Sequence, residues 1–230
     1  MSGKKKTLPA ARKRILILDD HPMMREGLAQ IIGNEADLSV CGEAENANEA
    51  IEKINALKPD LVLADITLPG KNGLELIKDV QTLTPGLAVL VISMHDESLY
   101  AERVLRAGGR GYIMKQEGGK KLMLAIRQVL NGQIYVSEKM SAKILEIFSG
   151  RRRGDAGGSP VAKLTDREFE VFQLIGQGKG TKEIAAQLHL SAKTVEVHRL
   201  NIKQKLNLQT AAELIRHAVR WVETESESGH

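Results

Sequence analysis

The sequence predicts an open, doubly wound α/β domain followed by a smaller all-α domain. Three observations carry that prediction. Five short apolar runs alternate with helical patterns across residues 14–130. The runs are continuously apolar rather than alternating, as expected for parallel strands covered by helices on both faces. Four further helical patterns follow a stretch rich in Gly and Arg.

The first strand is residues 14–18, and it ends in two carboxylates, Asp19 and Asp20. Pro22 opens the helical pattern that runs to residue 32, a first-turn position where its missing N–H is no loss. Residues 38–41 form a second strand and 46–57 a helix. Residues 61–64 form the third strand, which delivers Asp65, and 74–83 the helix behind it. Residues 87–92 and 111–114 form the last two strands, with helices over 97–106 and 120–130. Five strands alternating with five helices fit a flavodoxin-like doubly wound fold.

A short helix is expected over 137–148. Residues 150–160, with four glycines, a proline and Arg151-Arg152-Arg153, have linker composition. Thr165 and Glu168 then form a capping box for a helix to residue 175. A short helix over 181–188, a tight turn at His189-Leu190-Ser191 and a longer helix to residue 206 follow the logic of a helix-turn-helix. A last helix covers 210–222. The expected plan is a basic disordered tail over 1–13, an α/β domain over 14–131, a linker with a short helix over 132–160, a helix-turn-helix domain over 161–223 and a disordered tail over 224–230.

Composition narrows the function classes. No apolar run approaches the roughly 18 residues of a membrane span. Lys4-Lys5-Lys6 is followed by no apolar stretch, so a signal peptide is not expected. One cysteine, Cys41, excludes internal disulfides and suits a reducing cytoplasm. Charge is divided between the halves: residues 14–130 carry 13 basic and 17 acidic side chains, and residues 161–222 carry 10 and 6. A basic C-terminal half points towards nucleic acid.

The ends of parallel strands share one edge, so Asp19, Asp20, Asp65, Ser93 and Lys115 should converge. Three carboxylates together repel unless a cation joins them, and Mg²⁺ suits an all-oxygen set. Lys115 can pair with a phosphoryl oxygen and Ser93 can donate to another. Asp65 is then a carboxylate nucleophile whose natural product is an acyl phosphate. In the second domain Val195, Ile202 and Leu206 make the core face of the longer helix. Lys193, Val197, Leu200 and Gln204 fall on the opposite face, flanked by Glu196 and Lys203. That face offers Lys193 and Lys203 to phosphate or guanine, Gln204 to adenine, Val197 or Leu200 to a thymine methyl, and Glu196 to cytosine. His198 is a packed or phosphate-contacting residue. Ile215 and Trp221 on the last helix are candidates for a dimer seam.

Asp19-Asp20, Asp65 with Pro69-Gly70, Ser93 and Gly111-Tyr112-Ile113-Met114-Lys115 together resemble the receiver domain of bacterial response regulators. Residues 161–222, from Leu164-Thr165-Asp166-Arg167-Glu168 through Lys205-Leu206, resemble the LuxR-type four-helix DNA-binding domain. The joined plan resembles the NarL/FixJ class. The resemblance implies phosphorylation of Asp65 by a sensor histidine kinase. It implies Mg²⁺ on Asp20, Asp65 and the carbonyl of Thr67, with Asp19 helping. It implies a switch in which the Ser93 hydroxyl moves to the phosphoryl group and the Tyr112 ring turns inward. It also implies a receiver that covers the recognition helix until phosphorylation releases residues 192–206 for dimerisation on promoter DNA, with RNA polymerase a further partner. No cap or substrate pocket is read in the chain, so a regulator rather than an enzyme is expected. The chain departs from the receiver pattern at Gln116, where many members carry Pro, and at Met94, where some carry a smaller residue.

Overall fold

The computed structural model describes residues 11–68, 71–148 and 160–227. The N-terminal tail, Pro69-Gly70, the Arg151-Arg152-Arg153 stretch and residues 228–230 lie outside the described residues. The first domain holds β1 (Lys13–Leu18), α1 (Pro22–Gly33), β2 (Leu38–Ala44), α2 (Ala47–Leu57), β3 (Leu61–Asp65), α3 (Gly73–Leu83), β4 (Ala88–Ser93), α4 (Glu97–Arg106), β5 (Gly111–Met114) and α5 (Gly118–Leu130). The strands form one parallel sheet in the order β2-β1-β3-β4-β5. This is the flavodoxin-like order expected from the sequence.

Strand burial explains why the runs are apolar without alternation. Ile15, Ile17, Leu61, Leu63, Leu90, Ile92 and Ile113 pack under α1 and α5. Leu16, Leu18, Val62, Ala64, Val89, Val91 and Tyr112 pack under α2, α3 and α4. Both faces of β1, β3, β4 and β5 are therefore in a core, while the edge strand β2 is only partly buried. Side-chain caps set the helix starts: Asn46 accepts from Glu49 N, Asn72 from Glu75 N and Asp96 from Ser98 N.

After β5 the chain does not leave the domain at once. Tyr135 bridges to Gly111 at the sheet edge, and Ser137 N donates to Glu97 Oε1 at 2.7 Å. Helix α6 (Glu138–Phe148) then buries Met140 beside α4. The segment expected to be linker from residue 132 is fastened to the α/β domain through α6.

The second domain comprises α7 (Asp166–Gly176), α8 (Thr181–Gln187), α9 (Ala192–Lys205) and α10 (Ala211–Glu227). Thr165 and Glu168 close the expected capping box, and Ser191 caps α9. Helix α10 continues to Glu227, past the end expected at residue 222. Helices α7 and α10 approach closely at Gly176, where a Cβ would stand 2.5 Å from Ala218 O.

The two domains share one apolar cluster, and α7 is where they meet. All nine residues from Arg167 to Ile175 are buried. A helix buried all round is covered on both sides. Trp221 of its own domain packs on Phe169 and Phe172, while Lys78 of α3 and Tyr100 and Arg103 of α4 in the first domain reach Asp166, Phe169 and Gln173.

Candidate functional site

Strand register brings the predicted site residues together. Leu18 pairs with Ala64 across β1 and β3, so the next residues, Asp19 and Asp65, lie side by side. Asp65 pairs with Ile92 and Ser93 with Met114, which places Ser93 and Lys115 on the same edge. Lys115 Nζ donates to Asp19 Oδ2 and to Asp65 Oδ2, both at 2.7 Å. All three side chains are buried or nearly so. Burial pushes the Asp65 carboxyl up, and Lys115 pulls against that shift. Burial likewise disfavours the Lys115 ammonium, but Asp65 and Asp19 outweigh it and its pKa is raised. Arg25 fixes the strand end by donating to Asp19 O at 2.7 Å. Gly73 lets α3 start against this loop: a Cβ there would lie 2.8 Å from Asp65 O.

The acidic set fits a hard cation. Oxygens of Asp19, Asp20 and Asp65 lie within 4.8 Å of one another and of a His21 nitrogen. Asp20 Oδ1 is buried and lies 2.7 Å from His21 Nδ1, yet it accepts no hydrogen bond. A buried acceptor without a donor, beside two more carboxylates, is a donor set that suits a divalent ion.

Ser93 is fully buried, and its Oγ accepts from His95 N at 3.1 Å. Tyr112 is also fully buried, and its hydroxyl donates to His95 O at 2.8 Å. The inward turn expected on phosphorylation meets a ring that is already inside, because the His95 carbonyl is there to receive its hydroxyl. Thr67 N donates to Asp65 Oδ1 at 3.1 Å, and Thr67 Oγ1 stands 3.0 Å from His95 Nε2. Burial, then the Lys115 charge, depress the His95 pKa and keep its ring neutral. Met94 is exposed at the site's mouth. The Lys115–Gln116 bond is trans, as are the other described peptide bonds.

In the second domain the structure brings together most of the predicted reading face. Lys193, Glu196, Val197, Leu200 and Gln204 are exposed, Lys203 is half-buried, and Val195, Ile202 and Leu206 are in the core. Glu196 Oε1 accepts from the Thr181 hydroxyl at 2.6 Å, tying α9 to α8. His198 does not join that face. It is half-buried beside Arg167 and Glu168 of α7 and near Glu75 of α3, and burial lowers its pKa. Of the two dimer candidates, Ile215 is exposed, whereas Trp221 packs its ring 5.4 Å from Phe169 and 5.7 Å from Phe172.

Sequence reasoning missed the contact between the domains. Helices α3 and α4 of the first domain hold α7, and the reading face of α9 is left exposed, contrary to the expected covering of residues 192–206. Arg103 is central. It donates to Val161 O at 2.8 Å, to Leu164 O and Asp166 Oδ1 at 3.2 Å, and lies 4.0 Å above the Phe169 ring. Lys78 pairs with Asp166 at 2.6 Å, and the Tyr100 hydroxyl donates to Gln173 Oε1 at 2.5 Å. Asp166, Glu170 and Gln173 recur at helical spacing, which alone reads as a solvated face.

Glu170 makes this contact sensitive to pH. Burial pushes it up to about 7 against the pull of Arg167, with the Asn72 side chain and the Glu75 charge facing it from the first domain. The closed state thus favours protonated Glu170. Its contribution is complete below the ordinary value of 4.5 and is lost as pH rises through about 7. Small-angle scattering from about pH 5 to about pH 8 should show the radius of gyration growing, and Glu170→Gln should flatten that profile. A wild-type radius that does not change with pH would contradict this assignment.

Comparison with known proteins follows the same division. Residues 15–127 match the response regulator receiver domain family, and residues 162–218 match the bacterial regulatory proteins, luxR family. The oxygen regulatory protein NreC of Staphylococcus aureus is 36% identical over 210 residues, spanning 90% of this chain and 97% of that protein. The RcsB response regulator of Salmonella typhimurium, solved in work on its conformational dynamism for DNA interaction, superposes with a TM-score of 0.55 at 26% identity, over 90% of this chain and 98% of its own. A LuxR-family two-component response regulator from Aurantimonas superposes with a TM-score of 0.56 at 32% identity, over 60% of this chain and 99% of its own.

Proposed function

The chain belongs to the two-component response regulators that join a receiver domain to a LuxR-type DNA-binding domain, and on that premise we propose that phosphorylation of Asp65 controls its binding to promoter DNA. The observation that carries this reading is Lys115 spanning Asp19 and Asp65 at 2.7 Å each. A carboxylate paired with an adjacent ammonium can serve as the nucleophile, and the same ammonium can follow the negative charge onto a phosphoryl oxygen.

A sensor histidine kinase is the donor. An Asp65 carboxylate oxygen attacks phosphorus, the P–N bond of the phosphohistidine breaks, and the imidazole leaves. Asp19, Asp20, Asp65 and the Thr67 carbonyl would hold Mg²⁺, which when bound would supply charge neutralisation for the phosphoryl group. Lys115 binds one phosphoryl oxygen and the Ser93 hydroxyl turns to another. Ser93 must then release His95 N, so the loop between β4 and α4 moves. The receiver promotes only its own phosphorylation and dephosphorylation.

Control reaches DNA through α7. In the closed arrangement α3 and α4 fix α7, and α7 carries α10, the helix that presents Ile215. Closure holds the DNA-binding domain away from a second copy without covering its reading face. Release allows two domains to pair through α10 and set two α9 helices in successive major grooves of an inverted repeat. Lys193, Lys203, Gln204, Val197 and Leu200 make the contacts, and Glu196 positions the two helices. RNA polymerase is the onward partner. No described helix is long and apolar enough to cross a membrane, and a single cysteine suits a cytoplasmic site of action.

Sequencing genomic fragments retained by the protein, with and without an acyl phosphate donor and Mg²⁺, tests the reading. A set of fragments sharing an inverted repeat and enriched only with donor is expected. Equal enrichment in both arms would overturn phosphorylation control.

A further inference from the structure

Between the phosphoryl site and the clamp on α7 stands one residue, His95, that belongs to neither. Four ties hold it. Its backbone N donates to Ser93 Oγ at 3.1 Å. Its carbonyl accepts the Tyr112 hydroxyl at 2.8 Å. Its ring Nε2 stands 3.0 Å from Thr67 Oγ1. Its ring packs against Tyr100 with centroids 5.0 Å apart. Thr67 N donates to the Asp65 carboxylate, Ser93 lies on the same strand-end edge, and Tyr112 is on the strand beyond. The fourth is a residue of the clamp: Tyr100 donates to Gln173 and stands edge-on to Phe169, with centroids 5.3 Å apart.

We propose that His95 is the positioning residue that couples the phosphoryl site to the interdomain clamp, with Thr67 orienting the ring and the ring seating Tyr100 against α7. The inference rests on Asp65 being the phosphoacceptor. Physically, the phosphoryl group draws on the same groups that make these ties, Ser93 and Thr67. Ser93 has one hydroxyl, and turning it to a phosphoryl oxygen removes the acceptor of His95 N. Thr67 lies two residues from Asp65, and its N–H already serves the carboxylate that would be phosphorylated. Losing these ties frees a ring that packs against Tyr100. Tyr100 is fully buried, so it cannot stay seated when its neighbour shifts without opening a void. Arg103, one helical turn further along α4, releases Val161, Leu164 and Asp166 with it.

Separating the ring's two roles tests this. His95→Phe keeps an aromatic surface for Tyr100 and loses the bond to Thr67. His95→Ala loses both. Tyr100→Phe loses only the hydroxyl that reaches Gln173. Full-length proteins are compared by small-angle scattering, and by intact mass to count phosphoryl groups on each chain, before and after acetyl phosphate with Mg²⁺. Wild type should gain one phosphoryl group and expand. His95→Phe should be as compact as wild type without donor, and at equal phosphorylation should lose most of the expansion. His95→Ala should already be expanded without donor. Tyr100→Phe should shift the closed-to-open ratio towards open by about fivefold, the weight of one hydrogen bond. If His95→Phe expands as wild type does at equal phosphorylation, the ring only fills space and the coupling role is wrong. If wild type gains no phosphoryl group, the phosphoacceptor reading has failed instead, and the mass measurement separates the two.

Discussion

Asp65→Asn is expected to remove the whole of the phosphorylation-dependent gain in DNA binding. A carboxamide has no oxygen with the charge to attack phosphorus, and no acyl phosphate forms from it. The size of the loss is the coupling between the sites, which in allosteric proteins is typically about 5–150-fold in affinity. The variant should still fold. Lys115 keeps Asp19 at 2.7 Å, so its buried ammonium is not stranded. One of three close carboxylates is also gone, which relieves repulsion in the set of Asp19, Asp20 and Asp65. Intact mass with acetyl phosphate, a binding curve on an enriched fragment and a thermal melt together check the prediction. A variant that still gained donor-dependent affinity would show that another side chain takes the phosphoryl group. Weak binding accompanied by loss of the receiver's melting transition would show misfolding instead.

The receiver was legible in the sequence because its information is local. β1, β3, β4 and β5 each carry a continuous apolar run, and Asp19, Asp65, Ser93 and Lys115 each directly follow one. Parallel strands then force Asp19, Asp65, Ser93 and Lys115 to one edge without further information. The DNA-binding domain was legible for a similar reason: the Thr165–Glu168 box, the Ser191 cap and the spacing of Val195, Ile202 and Leu206 are all short-range. The contact between the domains was not. Asp166, Glu170 and Gln173 look like a solvated stripe, since nothing within a few residues of them reveals Lys78, Asn72 or Tyr100 above. Arg103 on α4 has the same ambiguity: its partners Val161 and Asp166 lie some sixty positions away in the chain. Tyr112 and Trp221 were placed on the right elements, but their packing depends on His95 and on Phe169 with Phe172. Periodicity assigns a helix face; it does not say which of two domains that face will meet.

That dependence makes Phe172 the most consequential single residue for the second domain. Its side chain is fully buried, with its ring centroid 5.7 Å from Trp221 and 5.9 Å from His217. It joins α7 to α10 where Gly176 already brings the two helices together. Phe172→Ala removes a fully buried ring from that contact and leaves a void, which costs about 3–5 kcal/mol. A domain of this size is stable by only roughly 3–9 kcal/mol. The substitution therefore consumes much or all of the reserve. Trp221 is the only tryptophan in the chain, so its fluorescence follows this domain alone while circular dichroism follows both. In urea the fluorescence midpoint should fall sharply while the receiver's transition stays near its wild-type position. Asp65 should still take a phosphoryl group, because the strand-end site does not include α10. DNA binding should be lost with or without donor. A fluorescence midpoint that stays where wild type has it would mean that α7 and α10 are held by something other than this aromatic cluster, with the receiver's grip on α7 the first place to look.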